Sequence, residues 1–425
     1  MHLYLHIPFC QRRCSYCDFS IAVRKSIPAR EYVAAVQAEI AGANTPFITP
    51  GASPGMSKSR DVGGSLTPGA SPGMSKSRDG GGSLTPSASL GKPDAAGDSP
   101  TIYLGGGTPS LLPPEAIGDL ITALHTAFPA RVSPTRYASL SQFEVTLEAN
   151  PEDVTPKAAA EWRRAGINRI SLGSQSFDDR VLKWMHRVHD AARITLAVRT
   201  LRSAGFDNIS LDLIFALPAE LERDWHRDLV NAAALEPDHL SLYGLTVEER
   251  TPLSRWVSRG ASSAPDDDRY ADEYLLAHER LAVAGYQFYE VSNAARKGRI
   301  SRHNSAYWTG RPYRGFGPAA HSFDGTRRFW NKRAWEDYRK AVKAGESAVE
   351  SEEALTDDQR AIERLYLGLR TREGLPVELV PEDRRSAWIS AGWAAEGDGR
   401  ISLTADGWLL LDTLVRDLTG NEAIL

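Results

Sequence analysis

Cysteine is nearly missing from this chain of 425 residues: there are three, and all fall within eight positions, at Cys10, Cys14 and Cys17. An odd number so tightly clustered makes a poor disulfide framework, which argues against a secreted scaffold. Long apolar runs are missing as well, since none approaches the roughly 18 residues of a membrane span. The start, MHLYLHIPF, lacks the charged n-region, long apolar stretch and cleavage site of a signal peptide. Nor is there an excess of positive charge. With 50 Lys and Arg against 54 Asp and Glu the net charge is −4, so no global basic field speaks for nucleic acid. A hydrophobic content of 42% still provides for an ample core. The expectation is a cytoplasmic, globular protein with no nucleic-acid partner.

What is present starts with HIPFCQRRCSYCDF. The spacing C-x3-C-x2-C lets three thiolates from one loop serve a single centre. An iron–sulfur cube held this way keeps one iron free of protein ligands, and a small molecule can bind there. Zinc is the competing reading. It usually takes four Cys or His ligands, and with no fourth cysteine His6 or His2 would have to serve.

Residues 44 to about 100 differ from the rest in composition. The segment Thr49 to Leu66 returns as Thr67 to Leu84 with only Val62 exchanged for Gly80, and a third copy fades after Thr85. This repeat of Gly, Ser, Pro and a few charges has almost nothing to bury, so it does not offset the entropy of ordering. It is expected to be a disordered insertion in a surface loop.

Around it, strand and helix patterns alternate. Strands are expected at Leu3–Ile7, Thr101–Leu104, Phe143–Leu147, Arg169–Leu172, Ile209–Phe215 and His239–Leu245. Helices are expected at Glu31–Ala41, Pro114–Phe128, Pro156–Ala165, Ala191–Ala204 and Glu222–Ala234. Six βα-type repeats imply an α/β fold with a parallel sheet, and six are too few for a closed eight-fold barrel. The expectation is therefore a partial (β/α)6 barrel over residues 1–245, an extension over 246–345, and a small α+β unit over 346–425. In that last unit the helix patterns Asp357–Arg370 and Gly407–Leu418 and the strand Arg400–Leu403 suggest a winged-helix-like domain with a structural or docking role.

In such barrels chemistry gathers at the C-terminal ends of the strands. The cysteine loop follows the first expected strand, Gly105-Gly106-Gly107-Thr108-Pro109 the second, Glu148-Ala149-Asn150-Pro151 the third, and Gly173-Ser174-Gln175 the fourth. Taken singly these are weak signals. The glycine run is either a tight turn or a place where backbone approaches a ligand, and Glu148 reads equally as a solvated acid. Asp212 lies inside the apolar run ISLDLIF, so it must be hydrogen-bonded, ion-paired or functional if buried. Downstream, His303 to Ser322 combines two histidines with aromatics and glycines. It is either an irregular packed loop or an aromatic wall for a planar ligand, with His303 or His321 as an iron ligand.

Together, YLHIPFCxxxCxYC, LGGGTPS, LEANPEDV, LGSQSFDDRVL…HR, DLIFALP and LYLGLRTREGL resemble radical S-adenosylmethionine proteins. More narrowly, they resemble the family of oxygen-independent coproporphyrinogen III oxidase. The resemblance implies that Cys10, Cys14 and Cys17 ligate a [4Fe-4S] cluster. It further implies that Tyr4, Gly106, Gly107, Thr108, Glu148, Gln175, Arg187 and Asp212 line an S-adenosylmethionine site. The oxidase branch carries a fourth cysteine two positions after the third, where this chain has Phe19, and a long extension before the motif, where this chain has nine residues. HNSAYW fits the motif of the family's heme chaperone branch. The resemblance thus implies a heme-binding protein that delivers heme to a recipient apo-hemoprotein, with His303 as the candidate heme ligand. A homodimer and a peripheral membrane-protein recipient are compatible with it. The alternative is oxidative decarboxylation of coproporphyrinogen III. One departure is Ala216 in DLIFALP, where the family usually has glycine.

Overall fold

The computed structural model describes residues 1–43, 99–128 and 143–420. The insertion expected over 44–100 lies outside the described residues except for its last two. One sheet of twelve strands organises the molecule: β1 (His2–Ile7), β2 (Thr101–Gly106), β3 (Glu144–Ala149), β4 (Arg169–Gln175), β5 (Ile209–Phe215), β6 (His239–Gly244), β7 (Gln287–Glu290), β8 (Asn293–Ala295), β9 (Tyr313–Phe316), β10 (His321–Phe323), β11 (Arg327–Asn331) and β12 (Val349–Ala354). Strands β1 to β6 lie side by side in chain order and all run parallel, with helices in the connections. This is the expected partial barrel.

The sheet continues further than the sequence suggested. Strand β9 pairs parallel with the free side of β1, His2 facing Tyr313 and Leu5 facing Phe316. Antiparallel β10, β11 and β12 follow beyond it, while β8 and β7 close the other flank. The pairing therefore runs past residue 345 as far as Ala354.

The strands form where they do because their sequences alternate. Leu3, Leu5 and Ile7, then Ile102 and Leu104, Val145 and Leu147, Ile170 and Leu172, and Leu211 and Leu213 are all buried in one core. Tyr32, Val36 and Ile40 of the helix Ala29–Gly42, and Ile117, Leu120, Ile121 and Leu124 of Pro114–Ala127, pack in that core. The alternate residues face the other side, and they are polar: His2, Tyr4 and His6; Thr101 and Tyr103; Glu144, Thr146 and Glu148; Arg169 and Ser171; Ser210 and Asp212; His239 and Ser241. Parallel strands buried on both faces usually read as continuous apolar runs. Here the second face lines a polar lumen.

Helix starts follow their caps. Thr155, Asp190 and Asp224 each accept a backbone N–H of the first turn. The helix expected from Glu222 begins instead at Trp225, because Glu222 is in a left-handed conformation and Asp224 supplies the cap. Beyond β12, the helices Asp357–Arg370 and Glu382–Ser390 accompany a three-stranded antiparallel sheet of Leu375–Pro376, Ala394–Gly397 and Arg400–Leu403. The single helix expected over Gly407–Leu418 is two, Ala405–Leu409 and Leu411–Thr419. Among the described residues no helix is long and apolar enough to cross a membrane.

Candidate functional site

The cysteine loop leaves the top of β1 and is pinned by backbone to three separate regions. Phe9–Cys10 pairs in parallel with Ala22–Val23. The Ser15 N–H donates to the Met185 carbonyl at 3.1 Å, and the Ser15 carbonyl accepts from the Leu253 N–H at 2.9 Å. Beneath the loop, Phe9 meets Tyr32 and Trp335 edge-on, each with ring centroids 5.5 Å away.

The glycine run after β2 meets the loop from the other side. The Gly107 N–H donates to the Ile7 carbonyl at 2.7 Å, and a Cβ at Gly107 would stand 2.7 Å from the Phe9 carbonyl oxygen and 3.0 Å from Cys10 Sγ. Gly106 has φ +114°, and a Cβ there would strike the His6 ring. Both positions therefore need glycine, one for its backbone angle and both for close approach. Thr108 Oγ1 donates to Cys10 Sγ at 3.4 Å.

Two guanidinium groups attend the thiols. Arg187 donates to Cys14 Sγ at 3.6 Å, to Asn150 Oδ1, and to the Gly173 carbonyl at 2.8 Å, and Arg13 donates to the Cys17 carbonyl at 3.2 Å. Arg187 thereby joins the loops after β1 and β3 to the C-terminal end of β4. Gln175 follows on β4 with φ +66°. Burial pushes the Cys10 thiol up and the Cys17 thiol up to about 12, with each sulfur further raised by the charge of Cys14. A metal centre must therefore displace protons from these groups when it binds.

The donor set fits an iron–sulfur cluster: three soft ligands on one loop, backed by a glycine whose missing Cβ leaves room beside Cys10 Sγ. Among the described residues no three Cys, His, Asp or Glu side chains converge on a single ion. The cysteines of a cube each bind a different iron. The Phe19 side chain stands exposed.

A second group lies below the glycines. Glu148 accepts from the Tyr103 hydroxyl at 2.9 Å and from the Gly106 N–H at 3.0 Å. Desolvation raises its pKa to about 7, and the nearby Asp212 charge adds to the shift. Asp212 accepts from Ser171 Oγ at 3.0 and 3.1 Å and from Ser210 Oγ at 3.4 Å, and burial raises its pKa too. The Tyr4 hydroxyl shares a 3.0 Å hydrogen bond with His6 Nδ1. The rim thus brings together Cys10, Cys14, Gly106, Gly107, Thr108, Glu148, Gln175 and Arg187. Tyr4 and Asp212 sit deeper in the lumen.

His303 is elsewhere. It lies in the helix Arg302–Trp308 at the opposite, N-terminal end of the strands, with 1% of its surface exposed. One ring nitrogen is 2.7 Å from Thr101 Oγ1 and the other 2.8 Å from the Tyr307 hydroxyl, and the ring stacks on Tyr103. Burial lowers its pKa, so the ring is neutral. To ligate heme iron it would have to give up a hydrogen bond and leave a buried place. Sequence reasoning named Asn150 only as part of a rim motif and passed over Tyr103 and Ser171; the three hold Arg187, Glu148 and Asp212. The alternation of polar residues along the six strands was the signal that could have found the last two.

The Radical SAM superfamily profile matches residues 80–229. A Mycobacterium tuberculosis protein named heme chaperone HemW is 35% identical over 424 residues, 98% of this chain and 94% of its own length. The chain belongs to the HemW family. The HemW of Synechocystis is 31% identical over 93% of this chain and 85% of its own length. In the solved structures, coproporphyrinogen III oxidase (HemN) from Escherichia coli, described as a radical SAM enzyme, superposes with TM-score 0.70. It is 21% identical and covers 98% of this chain and 89% of its own. At that identity the likeness shows the fold, a radical SAM partial barrel with a C-terminal unit.

Proposed function

We propose that this protein is a heme chaperone that binds heme and passes it to an apo-hemoprotein, with a [4Fe-4S] cluster and S-adenosylmethionine as resident cofactors. The observation that carries the reading is the 35% identity, along 98% of the chain, to a relative named heme chaperone HemW. Phe19, in the place of the oxidase branch's fourth cysteine, supports the same branch.

Cys10, Cys14 and Cys17 would hold the cluster, and Tyr4, Gly106, Gly107, Thr108, Glu148, Gln175, Arg187 and Asp212 would surround S-adenosylmethionine. When bound, this pair of cofactors supplies one-electron reductive chemistry. The protein's own part is positioning. Arg187, held by Asn150 and the Gly173 carbonyl, keeps a fixed positive charge against the cysteine loop. Gly106 and Gly107 bring backbone close to any group seated there. Glu148 and Asp212 offer acceptors from below, and the raised pKa of Glu148 leaves it protonated in part near neutrality.

In this reading residues 1–245 hold the cofactors, 246–345 extend the barrel, and 346–425 form a docking unit. The setting is cytoplasmic, and the recipient is a respiratory hemoprotein at the membrane periphery. The test is a paired assay on one anaerobically reconstituted preparation, measuring hemin uptake and coproporphyrinogen III turnover together. Hemin uptake without turnover is expected. Turnover with release of carbon dioxide, or S-adenosylmethionine binding without hemin binding, would overturn the reading.

A further inference from the structure

His303 has both ring nitrogens in hydrogen bonds at the base of the barrel, and the extension of the sheet offers a heme iron a second histidine. In the ladders from β9 to β11, Tyr313 faces Phe323, Phe323 faces Arg328, and His321 faces Trp330. Residues directly opposite one another share a face of a sheet. Tyr313, Phe323, Arg328 and Trp330 therefore point to one side with His321, the side on which β1 carries Tyr4. The opposite side of the same strands is closed, since Phe316, Ser322 and Phe329 are buried. The Tyr313 side is open: His321 is exposed, and Tyr313, Phe323, Arg328 and Trp330 are half-buried.

His321 stacks on Trp330 with centroids 5.7 Å apart and planes at 23°. Its ring nitrogens have no hydrogen bond among the described residues, unlike those of His2, His6, His189, His239 and His303. Partial desolvation and the charges of Arg333 and Arg328 disfavour its protonation, which leaves an imidazole lone pair available to a metal. Arg333 is exposed and forms no ion pair among the described residues, while Arg328 is paired with Glu363. The face adjoins the cysteine loop, because Ser20 Oγ donates to the Arg333 carbonyl at 3.2 Å and the Ser20 carbonyl accepts from His6 Nε2 at 3.3 Å.

We propose that this face of β9, β10 and β11 is the heme seat: His321, its imidazole backed by Trp330, coordinates the iron, the Tyr313 and Phe323 rings border the macrocycle, and Arg333 meets a propionate. A planar, apolar dianion with a metal at its centre is the chemistry that matches a stacked imidazole, an aromatic border and an uncommitted guanidinium. The inference rests on the heme chaperone reading, and its test separates the two.

Hemin is titrated anaerobically into the full-length protein and followed by its visible spectrum. His321→Gly should weaken binding at least about tenfold and change the spectrum of what remains, and added imidazole should restore the wild-type spectrum. Arg333→Ala should weaken binding about threefold without altering the spectrum. His321→Gln, which keeps a flat polar side chain over Trp330 but does not supply an imidazole, carries the test if the glycine variant melts early. Wild-type spectrum and affinity in both His321 variants would overturn the seat and leave the chaperone reading standing. Loss of the spectrum in His303→Ala but not in the His321 variants would also overturn it. Absence of hemin binding by the wild type would overturn the chaperone reading, and the seat with it.

Discussion

At the N-terminal ends of β1 to β3, polar side chains are committed to one another. His2 bonds Thr101, Thr101 bonds His303, and Glu144 receives the Arg302 and His303 N–H groups across the barrel. At the C-terminal ends the same residue types stand around glycine, thiol and strained backbone. Gly106 and Gly107 leave no room for a Cβ, and Gln175, His186 and Ala216 have positive φ. The closed end spends its hydrogen bonds on stability, while the open end holds groups whose protonation and spacing are set for something else to arrive. A change at the base should therefore move stability, and a change at the rim should move binding.

The largest effect is expected at Gly107. An added Cβ meets the Phe9 carbonyl oxygen at 2.7 Å, a backbone atom that does not step aside, and Cys10 Sγ at 3.0 Å. Gly107→Ala should abolish iron retention after anaerobic reconstitution while the far-ultraviolet circular dichroism stays near wild type. Full iron and sulfide content would show the rim to be looser than the contacts imply.

Glu144→Ala should do the reverse. It strips two backbone donors of a charged acceptor at the start of the helix Arg302–Trp308, at a cost of about 4 kcal/mol. Urea denaturation measures it, and iron retention in the folded protein should be unchanged. If iron is lost as readily as stability, the two ends are not separate.

Glu148 adds a pH dependence that belongs to the rim. Its folded pKa of about 7 lies above the 4.5 of the free side chain, so the folded state holds a proton that the unfolded state has released. Stability contributed by this group is full below about 4.5 and is lost as pH rises through about 7. The loss is at most about 3 kcal/mol. Asp212 and Asp153 are also raised and slope in the same direction. The measurement is thus the difference in denaturation midpoint between wild type and Glu148→Gln across that range, which should flatten in the variant.

The smallest change is at Ala216, φ +56°, whose N–H donates to Glu273 at 2.7 Å. The left-handed angle is costly for alanine, so Ala216→Gly should stabilise the cofactor-free protein by up to about 1 kcal/mol. A lower melting temperature would show that the bond to Glu273 tolerates no extra backbone freedom.

The six parallel strands and their helices were legible to within a few residues because each carries an apolar row and a clear stop. Asp357–Arg370 and Arg400–Leu403 were legible to the residue. Strand β9 was not, since the four residues YRGF carry no alternation of their own and owe their strand state to the free edge of β1. The rim was readable because its motifs follow strands directly. The polar lumen was not, because attention to the apolar row hid the alternate row that makes His2, Glu144, Glu148 and Asp212 neighbours. His303 drew attention as a histidine between aromatics, a setting that is equally at home in the hydrogen-bonded network in which it lies.

The pairing of β1 between β2 and β9 has a temporal consequence. Translation releases the cysteine loop early, yet one of its flanking strands waits for residue 101 and the other for residue 313. Nascent domains commonly consolidate from the N-terminus onward, but here the first strand acquires its second neighbour only after about three quarters of the chain has emerged. Housing the three thiols is consequently a task for the finished sheet rather than for its first strand.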